Sequence, residues 1–521
     1  MPGGMMTGQS AQPPQKKGHH SYGPGASSQI ALIDIGSNSV RLAVYKDYGH
    51  YPFPILNERV SCKLGEGLDE AGELQPKRIR QTLDVMRRFG ALLKAINPGL
   101  VFIAATAAVR RAVNRDEFVI PAEIILGQPI NILPASEEAR LITLGMMRNM
   151  PEIDGLVADL GGGSIELVHV EAGQMKDAVS LNIGHLSQVR PKNIKQLIAD
   201  VGWLEDARGK PLYGIGGSFR AVGSAYMTRT SYPLFLLHGL TIDADDALKL
   251  TSKLKKPDAD LTGIPAGRQS TIRQAATIIK AVMSASEVSH LVVSGTSIRD
   301  GLMVDLLPDM HRNGDALLDA CRNIARQSQR QDGLSEAIAH LLRPIALHFA
   351  STELAPIDGD TAQLLRMVEA ASLLSDICWN ESSDRRGPLA AEKILALPVF
   401  SLTHTQRAWL AKAVFHRYAG IKQNRTAKLK SDSLLTRRER VSARTVGLGM
   451  RFAQIFSGGV AEFLDLLHLS VEEDRLCCTL PARHAGLMDE HSKRRLSVFA
   501  ESCRLKADIR ALERAGQDKP A

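Results

Sequence analysis

One short phrase occurs twice in this chain. Ala31-Leu-Ile-Asp-Ile-Gly-Ser-Asn-Ser39 and Leu156-Val-Ala-Asp-Leu-Gly-Gly-Gly-Ser164 each run an apolar stretch into an Asp, an apolar residue and a Gly/Ser-rich turn. Over residues 30–45 and 155–170 the pattern reads as strand, tight turn, strand. Glycine at such a turn lets backbone N–H groups approach a ligand closely, and consecutive N–H groups there form a concave anion site. The Asp at each strand end adds a carboxylate, which repels bare phosphate but suits phosphate carried with a hydrated Mg²⁺. Either segment alone also reads as an ordinary structural turn. Their repetition implies two related subdomains with a cleft between them, a favoured place for a ligand, and the facing turns would form a phosphate clamp.

The 521 residues are enough for several domains. Hydrophobic content of 44% and charged content of 23% are those of a globular protein, and no apolar run is long enough for a transmembrane helix. Residues 1–28, rich in Gly, Pro, Gln and Ser, lack the apolar core of a secretory signal and read as a disordered tail. Cys62, Cys321, Cys378, Cys477, Cys478 and Cys503 show neither metal nor disulfide spacing, as expected of reduced thiols in a cytoplasmic protein. A net charge of +8 favours a polyanionic partner without choosing its kind.

Residues 29–150 alternate strands with helices: a helix near Pro76–Ile96, a strand at Leu100–Ala105 and a helix around 107–113. Residues 151–308 repeat the order, with a further Gly-rich turn at Tyr213-Gly-Ile-Gly-Gly-Ser218 and a last strand at 290–294. Both halves are therefore expected to be α/β. Beyond Pro308 the strand signals fade, and residues 309–521 read as a mostly helical domain with helices over 361–377, 406–418 and 441–456. That domain carries a basic stretch, Lys422, Arg425, Lys428, Lys430, Arg437, Arg438, Arg440 and Arg444, opposed only by Asp432 and Glu439.

Asp34-Ile-Gly-Ser-Asn-Ser-Val-Arg-Leu42, Ala105-Thr-Ala-Ala-Val-Arg-Arg-Ala112, Ser136-Glu-Glu-Ala-Arg-Leu141 and Asp159-Leu-Gly-Gly-Gly-Ser-Ile-Glu166 occur in this order. Together they closely resemble the exopolyphosphatase/guanosine pentaphosphate phosphohydrolase family. The resemblance implies two ribonuclease H-like domains of the actin, sugar kinase and Hsp70 type, followed by an HD-like helical domain. Ser294-Gly-Thr-Ser-Ile-Arg-Asp-Gly301 stands where nucleotide-using relatives place an adenosine loop but lacks its paired glycines, which argues against an ATP-driven kinase or chaperone.

Hydrolysis of a phosphoanhydride needs an aligned water, charge neutralisation and a positioned phosphoryl group. Gly36, Ser37, Asn38 and Ser39, with Gly161, Gly162, Gly163 and Ser164 opposite, are expected to hold phosphate oxygens. Asp34, Asp159 and Glu166 suit a hydrated Mg²⁺. By the resemblance, Glu138 activates the water and Arg110 reaches the phosphate, although Arg111 lies beside it. Ser136 is placed as N-cap of the helix carrying Glu138, with Glu137 turned about 100° away. The turn with Gly216, Gly217 and Ser218 either contacts further phosphates or closes a strand onto the next helix.

In the expected HD-like domain, Ser375 stands where the family's metal-binding fold has His. His416 and one Asp are too few for a dinuclear site, so an HD-like shape without HD chemistry is expected. The expected activity is release of orthophosphate from inorganic polyphosphate, with guanosine pentaphosphate as the alternative substrate and a non-catalytic polyanion-binding protein as the alternative of another class. No recognised nucleic-acid motif accompanies the basic stretch. The resemblance also implies a homodimer.

Overall fold

A computed structural model describes residues 28–46, 54–150, 152–307, 314–328, 333–350, 360–420 and 429–512. All but the last residue of the expected tail, and Lys422, Arg425 and Lys428 of the basic stretch, lie outside them.

The first α/β unit contains β1 (Ile30–Ile35), β2 (Ser39–Tyr45), β3 (Pro54–Ser61), α1 (Pro76–Ile96), β4 (Leu100–Ala105), α2 (Asp116–Leu126) and β5 (Asn131–Ile132). Its sheet runs β3-β2-β1-β4-β5, an antiparallel meander followed by parallel strands. Ile30, Ala31, Leu32 and Ile33 are all buried, as a central strand covered on both faces requires, which is why β1 reads as an unbroken apolar run.

After α3 (Ala135–Asn149) the plan recurs with β6 (Gly155–Leu160), β7 (Ile165–Glu171), β8 (Gln174–Leu181), α4 (Pro191–Ala199), β9 (Leu212–Ile215), α5 (Gly217–Thr230), β10 (Leu240–Asp243), α6 (Ala244–Leu254), α7 (Ile272–Ser286), β11 (His290–Val293) and α8 (Ile298–Leu306). The sheet order β8-β7-β6-β9-β11-β10 repeats the first and adds β10 as an antiparallel edge. This is the doubled ribonuclease H-like arrangement that the resemblance implied.

α3 and α8 join the two units. Leu141, Ile142 and Met146 of α3 share a buried cluster with Leu302 and Met303 of α8, Leu32 and Ala104 of the first sheet, and Val157 and Val292 of the second. The helices cross backbone to backbone: a Cβ on Gly301 would lie 1.8 Å from the Leu141 carbonyl oxygen, and one on Gly145 would lie 2.5 Å from the Gly301 nitrogen. Only glycine fits at this crossing.

The C-terminal part comprises α9 (Ala316–Ser328), α10 (Leu334–Ala350), α11 (Thr361–Leu373), α12 (Arg386–Ala396), α13 (His404–Ala419) and α14 (Arg437–Ser457), then β12 (His468–Glu472), β13 (Arg475–Pro481), α15 (Glu490–Ser502) and β14 (Lys506–Leu512). Capping boxes start α13, from Thr403 to Gln406, and α14, from Thr436 to Glu439. The expectation that strands end near residue 308 is corrected by the sheet β12-β13-β14. Its strands are short, and β14 pairs in parallel with β13 only after α15 intervenes.

Asp376, in the segment compared with a metal-binding fold, receives a hydrogen bond from Arg417 Nη2 at 2.7 Å, and both side chains are largely buried. His416 is buried, with Nδ1 3.0 Å from the Gly420 carbonyl oxygen. It is a packed residue. The described basic stretch is partly knit into the fold: Arg440 donates to the carbonyls of Asp432 and Leu435, and Asp432 is paired with Lys412 at 2.9 Å, whereas Arg437 and Arg438 remain exposed.

Candidate active site

The two repeated turns face each other across a cavity of about 150 Å³, lined from the first unit by Asp34, Gly36, Ser37, Asn38 and Ser39 and from the second by Asp159, Gly161, Gly162 and Ser164. Their internal geometry matches: Gly36 N–H donates to the Ser39 carbonyl at 3.1 Å, and Gly161 N–H to that of Ser164 at 2.9 Å. Asp34 lies opposite Arg41 in the β1–β2 ladder, and Asp159 lies opposite Glu166 in the β6–β7 ladder.

Gly216 and Gly217 also line the cavity, at the N-terminus of α5. Gly216 has φ 95°, and a Cβ there would come within 2.8 Å of Asp159 Oδ1, so backbone conformation and proximity both require glycine. The orphan N–H groups of a helix start favour anions. Ser218 does not line the cavity, and its hydroxyl is buried without a partner among the described residues. Gly163 also stands back from the lining, close to the Arg111 guanidinium.

Glu138 lies in the first turn of α3, only 8% exposed. Pro134, rather than Ser136, is the N-cap. Its ring presets the backbone for the helix start, and Ser136 falls inside the helix. Glu137 turns away and pairs with Arg140 at 2.8 Å. Arg110 Nη1 donates to Glu138 Oε2 at 2.9 Å and to the Leu133 carbonyl at 2.7 Å. Arg110 therefore meets the carboxylate directly behind the cavity rather than lining the cavity itself.

Burial is the main reason that the carboxyls here titrate high. It raises Glu138 and Glu166, each further raised by a neighbouring carboxylate, Glu166 for the first and Asp159 for the second, while Arg110 opposes both shifts. Asp159 is pushed up to about 7 by burial and by Glu138, and Asp34 is raised by burial against the pull of Arg299, Arg41 and Arg59. Glu166 Oε1 accepts from Ser164 Oγ at 2.7 Å and Ser180 Oγ at 3.0 Å.

Asp34, Asp159 and Glu166 are carboxyls desolvated by burial and without a direct ion pair among the described residues, a chemistry that fits a cation, whereas Glu138 is paired with Arg110. Among the described residues, however, no three His, Cys, Asp or Glu side chains converge on one point as a ligand set. Asp34 and Asp159 are the residues that would hold a hydrated Mg²⁺ here, while Glu166 is already engaged by Ser164 and Ser180.

The other half of the cavity was not anticipated from the sequence. Arg41 from β2, Arg59 from β3, Arg220 from α5 and Arg268 ahead of α7 all line it. Burial and neighbouring guanidinium groups lower the pKa of each, Arg41 and Arg268 to about 10. Four crowded cations opposite the loops form a site for a multiply charged anion. Arg268 also contacts Nε2 of His185, whose ring is held neutral by burial and by that guanidinium, its pKa pushed down to about 3. The only foresight available was at Arg41, which occupies in the first repeat the place of Glu166 in the second.

The loop that completes the cavity with Thr296, Ser297 and Ile298 is tied to the C-terminal part. Gly295 N–H donates to His238 Nδ1 at 2.9 Å, and His238 Nε2 lies 2.5 Å from the Phe400 carbonyl oxygen. His404 bridges back, Nε2 to the His238 carbonyl at 2.9 Å and Nδ1 to the Tyr232 hydroxyl at 3.0 Å.

Comparison with known proteins gives the same outline. The model of the Ppx/GppA phosphatase family matches residues 43–310, and that of the exopolyphosphatase C-terminal domain matches residues 347–509. A guanosine-5'-triphosphate,3'-diphosphate pyrophosphatase of Vibrio cholerae is 24% identical over 481 residues, covering 87% of this chain and 92% of its own. Among solved structures, the Aquifex aeolicus member of the Ppx/GppA family is 24% identical with a TM-score of 0.44, over 54% of this chain and 97% of that one. An exopolyphosphatase from Cytophaga hutchinsonii is 21% identical with a TM-score of 0.48, over 53% and 97%. Because the first family model spans more than half of the sequence, the chain belongs to the Ppx/GppA phosphatase family.

Proposed function

We propose that this phosphatase is an exopolyphosphatase, which hydrolyses the terminal phosphoanhydride bond of inorganic polyphosphate and releases orthophosphate. The observation that carries the reading is the composition of the cleft. Arg41, Arg59, Arg220 and Arg268 line it together with the two glycine turns, and among the described residues no Phe, Tyr or Trp does. Such a lining suits a chain of phosphates and offers a nucleobase no large aromatic face.

In this reading the terminal phosphoryl group lies between the turns, its oxygens taken by backbone N–H groups and by the hydroxyls of Ser37, Ser39 and Ser164. Glu138 takes a proton from the attacking water as its oxygen bonds to phosphorus. The bridging P–O bond breaks, and the shortened chain keeps that oxygen. Burial and Glu166 raise the basicity of Glu138, as a general base requires, and Arg110 fixes its direction. The chain's arginines hold the remaining phosphates in line. A Mg²⁺ beside Asp34 and Asp159 would supply charge neutralisation for the reacting phosphoryl oxygens.

The second reading is a guanosine pentaphosphate 5'-phosphohydrolase, favoured by the name of the Vibrio cholerae relative. The chemistry is the same and only the group behind the terminal phosphates differs. Phosphate release from long-chain polyphosphate and from guanosine pentaphosphate, compared between wild type and Glu138→Ala, tests both. Faster release from polyphosphate, abolished in the variant, is expected. Release from the nucleotide alone would transfer the assignment to the second reading, and undiminished release in the variant would remove Glu138 from the mechanism.

A further inference from the structure

A second and much larger hollow, of about 1080 Å³, is lined by the second α/β unit beside α4, the end of α6 and α7, and by Gly65, Glu66 and Gly67 of the first. Its charged lining is nearly all of one sign: Arg190, Lys195, Lys255, Lys256, Arg273 and Lys280. The one carboxylate in the lining, Glu66, is already engaged by Arg78 and lies 3.8 Å from Lys63. Among the described residues none of the six cations has a carboxylate partner. The ammonium of Lys280 is disfavoured by burial and by Lys255 and Lys195, which shows how closely these charges crowd.

Two of the cations are fixed in place. Lys280 Nζ donates to Ser252 Oγ at 2.6 Å, and Arg273 Nε donates to the Lys255 carbonyl at 3.1 Å. Neutral donors stand between them, including Ser187, Thr271 and Gln274. Among the described residues no Phe, Tyr or Trp lines the hollow, so a nucleoside would find no large aromatic face, and the volume exceeds the needs of one phosphate.

The hollow and the catalytic cleft share one side chain, His185, which lines both. Its Nε2 meets Arg268 of the cleft, and its Nδ1 is buried without a partner among the described residues. The partition beside it is thin: a Cβ on Gly162 would lie 3.0 Å from Ser37 Cβ and 3.1 Å from Leu186 Cδ1.

We propose that this hollow is a second site for phosphate oxyanions, distinct from the catalytic cleft and divided from it by His185. The same chemistry has two sources, free orthophosphate and the phosphates of a condensed chain. Binding there does not depend on the activity proposed above. Only an effect of occupancy on turnover would rest on that reading.

Equilibrium binding of radiolabelled orthophosphate and of tripolyphosphate to the full chain tests it, in metal-free buffer of low ionic strength and with Glu138→Gln to prevent hydrolysis. Wild-type lining should show two classes of site. Lys195→Ala/Lys255→Ala/Lys280→Ala should weaken one class at least tenfold, and Lys77→Ala/Lys94→Ala/Lys493→Ala, which removes equal charge elsewhere, should leave both. Orthophosphate binding at this class identifies the free anion as occupant, and binding of tripolyphosphate alone identifies a chain. A single class of site for both probes, or equal loss in the two triple variants, overturns the proposal. Lys195→Glu, at an exposed position, repeats the test should the triple variant fold poorly. Because no step of the assay is hydrolytic, failure of the proposed activity would leave this result standing.

Discussion

Arg41 stands in the first hairpin where Glu166 stands in the second. Each is the cross-strand partner of its loop aspartate, Asp34 in one ladder and Asp159 in the other. One strand-turn-strand unit thus supplies a cation to one jaw and an acid to the other. Arg41→Ala should lower kcat/KM on polyphosphate by about 10- to 100-fold, the scale of one lost charge-assisted hydrogen bond. Arg41→Glu, which makes the jaws alike in charge, should abolish measurable hydrolysis. Steady-state kinetics of both variants check this, and an unchanged kcat/KM in Arg41→Ala would detach the residue from substrate binding.

Glu138→Gln should lower kcat by about 10²- to 10⁴-fold, as expected for a lost general base. The same change should leave the melting temperature unchanged or raise it. Burial and Glu166 both disfavour the charge on this carboxyl, and a neutral isostere removes that cost. A thermal melt beside the kinetic assay separates lost catalysis from lost folding.

Gly301→Ala should destabilise the protein by more than about 3 kcal/mol, because its Cβ would sit 1.8 Å from the Leu141 carbonyl oxygen and neither helix backbone can yield cheaply. Denaturant unfolding measures this directly. Gly267→Ala, where a Cβ meets nothing within 4 Å, is the control and should change stability little.

Acid should loosen the join between the cleft and the C-terminal part. Burial lowers the pKa of His238 and His404 to about 4, helped by Arg407 near both and by His404 near His238, and opposed by hydrogen bonds to backbone carbonyls. An unfolded histidine titrates near 6.5, so between these values the unfolded chain holds more protons. The stabilisation is whole above about pH 6.5 and is lost as pH falls towards about 4. Melts across that range should show the decline. His238→Gln/His404→Gln, whose amides donate and accept without titrating, should make it shallower, the remainder coming from the buried His185 and His416, and an equally steep decline in that variant would exclude the pair as a source.

Much of this architecture was legible in the chain. α1 and β4 occupy the residues that their patterns predicted, because a 3.6-residue apolar period and an unbroken apolar run are local signals. The phosphate loops were legible because they are repeated. The arginine half of the cleft was not, since Arg41, Arg59, Arg220 and Arg268 come from separate elements and each alone resembles a surface residue. Pro134 displaced Ser136 as the cap, and β12, β13 and β14 were missed because short strands interrupted by α15 leave little alternation to read.

The Asp376–Arg417 pair has a consequence for how the molecule responds to chelators. A guanidinium is a permanent charge attached to the chain: it does not exchange with solvent, compete among cations or leave with EDTA. The helical part therefore carries its counter-ion with it, whereas the Mg²⁺ proposed beside Asp34 and Asp159 would have to come from solution. Chelation should accordingly divide the protein, silencing hydrolysis at concentrations that leave the fluorescence of Trp409, buried in the helical part, unchanged. A shift of that signal with chelator in step with activity would show that the two halves draw on one cation after all.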